Sequence, residues 1–432
     1  MQEQSPNPTR GRTVVIAAVS INLIIGVLYA WGVIKKALVT DPQWHWSNTD
    51  AAMPFTVSTV AFALMMIFAG RWQDKIGPRY VAMLGGAILG AGLILSSFAH
   101  SPIAMLITFG IIGGVGIGLA YSATTPPCIK WFPPAKKGII TGIVVSGVGL
   151  AAVYIAPLTQ FLLGVTSISN TFLILGVGAV VLVCLLSLAL TNPPVGYVPV
   201  AGGALASGMA RTAASPRADL DWHQMLHSKQ FYQLWVMFVL AASAGLMIIV
   251  HIATIAKEQA GLKWGFLPVA ILAIFNTSGR VVSGFLSDRI GRTNTMILAF
   301  VLQAINMFAF AHYTTPALLI FGAAFTGVCY GTIFTLFPAA TADFYGIRNL
   351  GVNYGLVFTA FGIAGVVGPI LGGKIRDSFG AYAHSYTISA IMLLLGAAMA
   401  LLVKAPRNEA AHLPASTVIG SKAKSEPELV KK

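Results

Sequence analysis

Charged side chains are the scarcest class in this sequence. Asp, Glu, Lys and Arg make up 9% of its 432 residues, where a soluble chain carries about 25%. Acids are the rarer sign, 13 against 27 Lys and Arg. So few charges in so apolar a chain exclude a soluble enzyme, a nucleic-acid-binding domain and a disordered protein. Cysteine is equally sparse. Cys128, Cys184 and Cys329 lie in or beside apolar segments and form no CxxC or CxxH spacing, so no disulfide framework and no zinc site is expected. The eight histidines form no HExxH, and no helix-initiating GxxxxGKS/T occurs. ATP-driven transport is therefore unsupported, and no cofactor is expected.

What is present is apolar. Hydrophobic residues reach 56%, mean hydropathy is +0.79, and there are 45 glycines. Glycine at that frequency suits helices packed closely in a bilayer. A hydrocarbon core of about 30 Å takes about 20 apolar residues per helix. Twelve such runs occur, at 13–34, 51–70, 80–98, 102–123, 138–160, 168–190, 230–254, 265–286, 293–312, 315–336, 350–372 and 382–403. The first lacks an AxA cleavage site and reads as a retained anchor. Thr191 to Lys229, with Pro193, Pro194 and several Gly, Ala and Ser, reads as a linker. The expected division is residues 1–192, a cytoplasmic linker at 193–228, and residues 229–432 with a cytoplasmic tail.

Basic residues orient the runs. With the N-terminus inside, only Lys35, Lys36, Lys257, Lys263, Lys374 and Arg376 fall outside, and Arg280 falls within a run. The other 20 of the 27 lie on the cytoplasmic side. Both termini are therefore expected in the cytoplasm, with the basic girdle against anionic headgroups of the lipid bilayer.

The chain repeats itself. Gly70, Asp74 and Gly77 follow the second run, and Gly284, Asp288 and Gly291 follow the eighth, offset by 214 residues. Phe109-Gly110 matches Phe321-Gly322 at 212, and Gly138 and Gly142 match Gly351 and Gly355 at 213. A duplicated six-helix unit follows, an arrangement in which transporters place a site between the repeats. The glycines permit a tight turn. Asp74 can accept hydrogen bonds at a helix N-terminus and pair with arginines, so Asp74, Arg79, Asp288 and Arg292 are candidate gating residues.

On this doubled GxxxDxxG loop the sequence resembles the major facilitator superfamily. Four further segments are similar to its monocarboxylate transporter branch and the bacterial oxalate–formate antiporters. They are Gly26 to Trp31, Lys130-Trp131-Phe132-Pro133 with Lys136-Lys137-Gly138, Met225 to Trp235, and Asn276 to Arg280. The resemblance implies an all-α membrane protein of two pseudo-symmetric six-helix bundles. It also implies a multi-pass carrier of the cell inner membrane, acting as a monomer and closest to bacterial proton-coupled lactate transporters.

One charge stands apart without any resemblance. Among Asp, Glu, Lys and Arg, only Arg280 lies well inside a run, about 6 Å from the middle of the eighth. Insertion there costs about 2.5–3.5 kcal/mol, arginine does not deprotonate, and no carboxylate lies in a neighbouring run. The residue is either a structural arginine bonded to helix carbonyls or one whose counter-ion is an anionic substrate, held by the guanidinium fork. The family resemblance favours the second, since this arginine binds the substrate carboxylate there. In the antiporter branch a lysine supplies a second cation, and alignment on Asn353-Tyr354-Gly355 puts Phe361 at that position. A small monocarboxylate such as L-lactate or pyruvate is thereby expected, not a dicarboxylate.

Proton coupling rests mainly on resemblance. Animal relatives carry Asp four residues before the arginine, where this chain has Asn276, which shares a helical face with Arg280 but cannot titrate. His251 is the candidate proton carrier, since free histidine titrates near pH 6.5. Tyr29, Tyr121 and Tyr330 have hydroxyls needing partners, and the resemblance places their runs on the cavity. Leu28, Phe334, Phe358 and Phe361 are candidates for its apolar wall. An anion exchanger without a proton is the rival within carriers. An intramembrane enzyme would need paired carboxylates, a Ser/His pair or a metal cluster, and the runs contain none.

Overall fold

The computed structural model describes residues 8–44, 46–194, 196, 197, 199, 219–262 and 266–404. Among these, regular structure is entirely helical, and twelve helices are long and apolar enough to cross a membrane. They are α1 (Thr9–Thr40), α2 (Asp50–Ile76), α3 (Pro78–Ser96), α4 (Pro102–Lys130), α5 (Pro134–Val165), α6 (Ile168–Ser187), α7 (Lys229–Ala260), α8 (Leu267–Ile290), α9 (Arg292–Phe310), α10 (Pro316–Tyr345), α11 (Leu350–Phe379) and α12 (Ala383–Leu402). Every expected run matches one of them to within three residues or is overrun by it.

Most helices outrun the apolar segments that announce them. α10 reaches Tyr345, nine residues past the end expected at 336. Backbone bonding continues through interfacial residues, whereas an apolar count sees only the hydrocarbon layer. Starts are set by side-chain caps. Ser101 accepts from the Ala104 N–H at 3.2 Å, with Pro102 at the first helical position. Ser167 does the same for α6, accepting from Asn170 N–H at 3.1 Å. Pro54, Pro157, Pro338 and Pro369 lie inside helices, tolerable where neighbouring helices shield the freed carbonyls. Leu64, Phe161, Leu185, Ile305 and Leu402 are more than half exposed. Such apolar exposure suits contact with lipid tails and not with water.

Two helices are irregular midway. α1 tightens to a 3₁₀ stretch at Gly26–Ala30 and α4 widens to a π stretch at Leu106–Gly113. Departures of this kind inside long helices often mark functional positions.

The repeated loops adopt one conformation. Gly77 ends α2 at φ 94°, ψ 162°, and Gly291 ends α8 at φ 92°, ψ 158°, backbone angles that only glycine takes without strain. At that end, called here the basic face, α2 packs along α11 and α5 along α8. Helix backbones nearly touch: a Cβ at Gly70 would stand 2.1 Å from the Gly351 carbonyl oxygen.

Of the expected linker, residues 195, 198 and 200–218 lie outside the described residues, as does the expected tail beyond 404. The described end of the linker is structured. Asp219 Oδ1 accepts from the N–H groups of Ile347 and Arg348 at 2.9 and 3.1 Å, and Leu220 N–H donates to the Tyr345 carbonyl. Asp221 then opens a short helix, Trp222–Leu226, with a capping box to Gln224.

Candidate functional site

Arg280 is fixed by three helices. Thr335 of α10 donates to its backbone carbonyl at 2.9 Å. α10 can lie this close because a Cβ at Gly331 would stand 2.1 Å from the Asn276 carbonyl. Four residues before Arg280, Asn276 Oδ1 accepts from Nε at 3.0 Å. The guanidinium then crosses to α5, where Nη1 donates to the Val145 carbonyl at 2.5 Å. Its carbon lies 4.6 Å from the centroid of the Phe334 ring.

These contacts orient the cation without neutralising it. Arg280 is 1% exposed. Two of its five N–H donors are used, both on neutral acceptors, and no carboxylate among the described residues pairs with it. Burying an unpaired ion costs several kcal/mol. A desolvated cation–π contact returns about 2 kcal/mol, so a net deficit remains. Nη2 has no protein partner among the described residues.

An aromatic shell closes around the cation. Phe334 stacks edge-on with Tyr330 (5.2 Å) and Phe361 (5.4 Å), and Phe361 lies 5.2 Å from Phe358. Phe358 meets Tyr121 of α4 at 5.7 Å and Phe62 of α2 at 5.0 Å. The structure thus brings Arg280, Asn276, Tyr121, Tyr330, Phe334, Phe358 and Phe361 together. Tyr29 and Leu28 are half-buried on the 3₁₀ stretch of α1.

His251 stands elsewhere. Its Nε2 donates to the Pro369 carbonyl at 3.1 Å, and Nδ1 lies 3.4 Å from the Tyr382 hydroxyl. Both partners are on or beside α11, and the ring makes no contact with Arg280.

At the basic face two carboxylates cap helices across the interface. Asp74 accepts from Gly351 and Val352 N–H of α11 at 3.2 and 3.0 Å. Asp288 accepts from Gly138 and Ile139 N–H of α5, both at 2.8 Å. Arg292 donates to Asp288 at 2.6 Å and to Asp343 at 2.9 Å, and Lys137 joins Asp343 at 3.1 Å. Arg79 does not share in this. It is exposed and makes no ion pair among the described residues. The cause is spacing: Arg292 follows Asp288 by four residues, one helical turn, whereas Pro78 displaces Arg79 to five after Asp74.

Sequence reasoning missed three participants. Phe62 and Tyr354 sit in apolar segments, with nothing to single them out. The Val145 carbonyl is backbone, invisible to any reading of side chains.

Twelve spans, a near-contact of helix ends at one face and one uncompensated cation at the centre define a polytopic transport protein, not an enzyme. The chain belongs to the Major Facilitator Superfamily, whose sequence profile matches residues 13–316 and, overlapping, 267–428. It is 27% identical over 393 residues to the oxalate:formate antiporter of Oxalobacter formigenes, covering 90% of each chain. It is 26% identical over 387 residues to monocarboxylate transporter 13 of Rattus norvegicus, covering 87% of this chain and 84% of the other. The solved proton:xylose symporter XylE superposes with a TM-score of 0.70 at 14% identity, over 92% of this chain and 96% of that one, a likeness of fold alone.

Proposed function

We propose that this protein is a secondary active transporter of small monocarboxylates, L-lactate and pyruvate, moved with a proton by alternating access. The observation that carries it is Arg280, buried and without a carboxylate among the described residues. A substrate carboxylate supplies the missing charge, using N–H donors that the protein leaves free. One cation suits one carboxylate. Phe361, at the position where the resemblance puts a second cation, instead packs on Phe334 and offers a wall to the substrate's methyl group.

The excess of Lys and Arg on the basic face supports a cytoplasmic orientation for it, in a bacterial inner membrane. Residues 1–192 and 229–432 are then the rocking units. Asp74 and Asp288 bond across them, so this conformation is closed to the cytoplasm.

His251 is the proposed proton carrier. With Nε2–H on the Pro369 carbonyl, Nδ1 accepts from Tyr382; once protonated it donates to the same hydroxyl, so either charge state keeps both partners. A proton-independent anion exchanger is the second reading, favoured by the non-titrating Asn276 at the site and by the distance of His251 from Arg280.

Reconstituted protein is expected to exchange labelled L-lactate in counterflow, and an inward proton gradient is expected to drive uphill uptake. Counterflow without gradient-driven accumulation would establish the exchanger; no counterflow with any monocarboxylate would end both readings. His251→Gln is expected to abolish gradient-driven accumulation while sparing counterflow. A wild-type response to the gradient would remove His251 from coupling.

A further inference from the structure

Tyr354, in the second turn of α11, points into the same aromatic shell. Its ring lies 5.7 Å from Phe358, which in turn lies 5.7 Å from Tyr121. Both tyrosines are 4% exposed. Their hydroxyls are each other's neighbours, with Arg280 close by, but the contact between them falls short of a well-formed hydrogen bond and neither has another partner among the described residues. A buried hydroxyl without a well-formed hydrogen bond is unfavourable and uncommon in a finished structure. Here two occur together, one from α4 and one from α11, beside a guanidinium with donors to spare.

The three groups complement one kind of ligand. Arg280 takes a carboxylate. A phenol both donates and accepts, so the Tyr121–Tyr354 pair can serve an oxygen on the adjacent carbon, as a hydroxyl or as a ketone. The surrounding wall of Phe62, Phe334, Phe358 and Phe361 has nothing for a further polar group.

We infer that Tyr354, together with Tyr121, is a specificity-determining residue that reads the C2 oxygen of a 2-hydroxy or 2-oxo monocarboxylate and so discriminates against unsubstituted acids of the same size. This rests on the monocarboxylate reading above and adds to it a residue and a chemical distinction. Phenylalanine at position 354 keeps the ring and its packing and removes only the oxygen.

The test is inhibition of labelled L-lactate counterflow in proteoliposomes by unlabelled L-lactate, pyruvate and propionate. Propionate matches lactate without the hydroxyl. Wild type is expected to prefer lactate and pyruvate over propionate. Tyr354→Phe is expected to weaken lactate and pyruvate by about fivefold to tenfold, the worth of one buried hydrogen bond, and to move propionate by less than about twofold. Tyr121→Phe is expected to behave alike. The preference should collapse in either variant. Equal weakening of all three acids would mean a packing role and overturn the inference, as would three unchanged affinities. A wild type that already binds propionate as well as lactate would overturn it too. Wild type inert toward every acid in the panel would instead refute the monocarboxylate reading itself. A variant that fails to fold is recognised by its elution profile in detergent; Tyr354→Trp, which supplies an N–H donor without an acceptor, then replaces it and is expected to favour pyruvate over lactate, the unchanged ratio counting against the inference.

Discussion

Arg280→Ala is expected to abolish saturable lactate uptake, with residual transport at least about 100-fold below wild type. Truncating one member of a buried charge pair costs about 2–5 kcal/mol of binding, or about 30-fold to several thousandfold. The larger end applies here because no second cation among the described residues contacts the shell around Arg280 to share the substrate's charge. Lysine is expected to rescue poorly. Its ammonium is a point charge and cannot reproduce the fork held between Asn276 and the Val145 carbonyl. Stability should move the other way. Removing a buried, uncompensated cation lifts a desolvation penalty, so Arg280→Leu is expected to melt no lower than wild type in detergent. Wild type should gain thermal stability from lactate, about 2.7 kcal/mol at a hundredfold excess over the dissociation constant, and the variant should gain none. Full uptake by Arg280→Ala would show the arginine to be structural. A collapse in melting temperature would show that its bonds to Asn276 and Val145 hold the fold.

The contrast between a functional and a structural arginine is also where sequence and structure meet. That a cation is buried in α8 was legible, because a lone arginine in an apolar run admits few placements. That no acidic side chain answers it was legible too, since acids are few and sit at helix ends. What answers it in part was not. The Val145 carbonyl carries no signature, because a helix interior already uses that oxygen and any residue type supplies one. Asn276 could be placed on the same face by its spacing, and it is, but as the group that orients Nε rather than one left wholly for substrate. The aromatic shell was half legible. Phe334 stands on a run that the resemblance puts on the cavity, and Phe361 at the position where it puts a second cation, whereas Phe62 and Tyr354 depend on how α2 and α11 roll against each other, which no periodicity in a uniformly apolar helix reports. The repeated loops foretold both carboxylate caps. They misled at Arg79 through a single inserted proline.

Those caps are the second place where a small change should have a large effect. Asp74→Asn and Asp288→Asn are each expected to favour the conformation open at the basic face, and the double variant to do so by about 100-fold or more. A carboxylate on the N–H groups of a helix N-terminus stabilises by up to about 2 kcal/mol when partly buried, and Asn supplies one oxygen and no charge. Two such losses sum to about 3–4 kcal/mol if independent, and the caps lie on separate helix pairs, so near-additivity is expected. The Asp288 variant should be the stronger of the two. Its bonds are shorter, 2.8 Å against 3.0 and 3.2 Å, and its loss also removes an anionic partner of Arg292. Because neither carboxylate reaches the site around Arg280, the turnover rate should change more than the lactate affinity. Distances between spin labels at Lys75 and Arg348, both exposed near the Asp74 cap, should report it directly: a short population in wild type, and a longer one that grows with Asp74→Asn and dominates in the double variant. An unchanged distance distribution in the double variant would mean that the close approach of Gly70 to Gly351 closes this face by packing alone, with the carboxylates as bystanders.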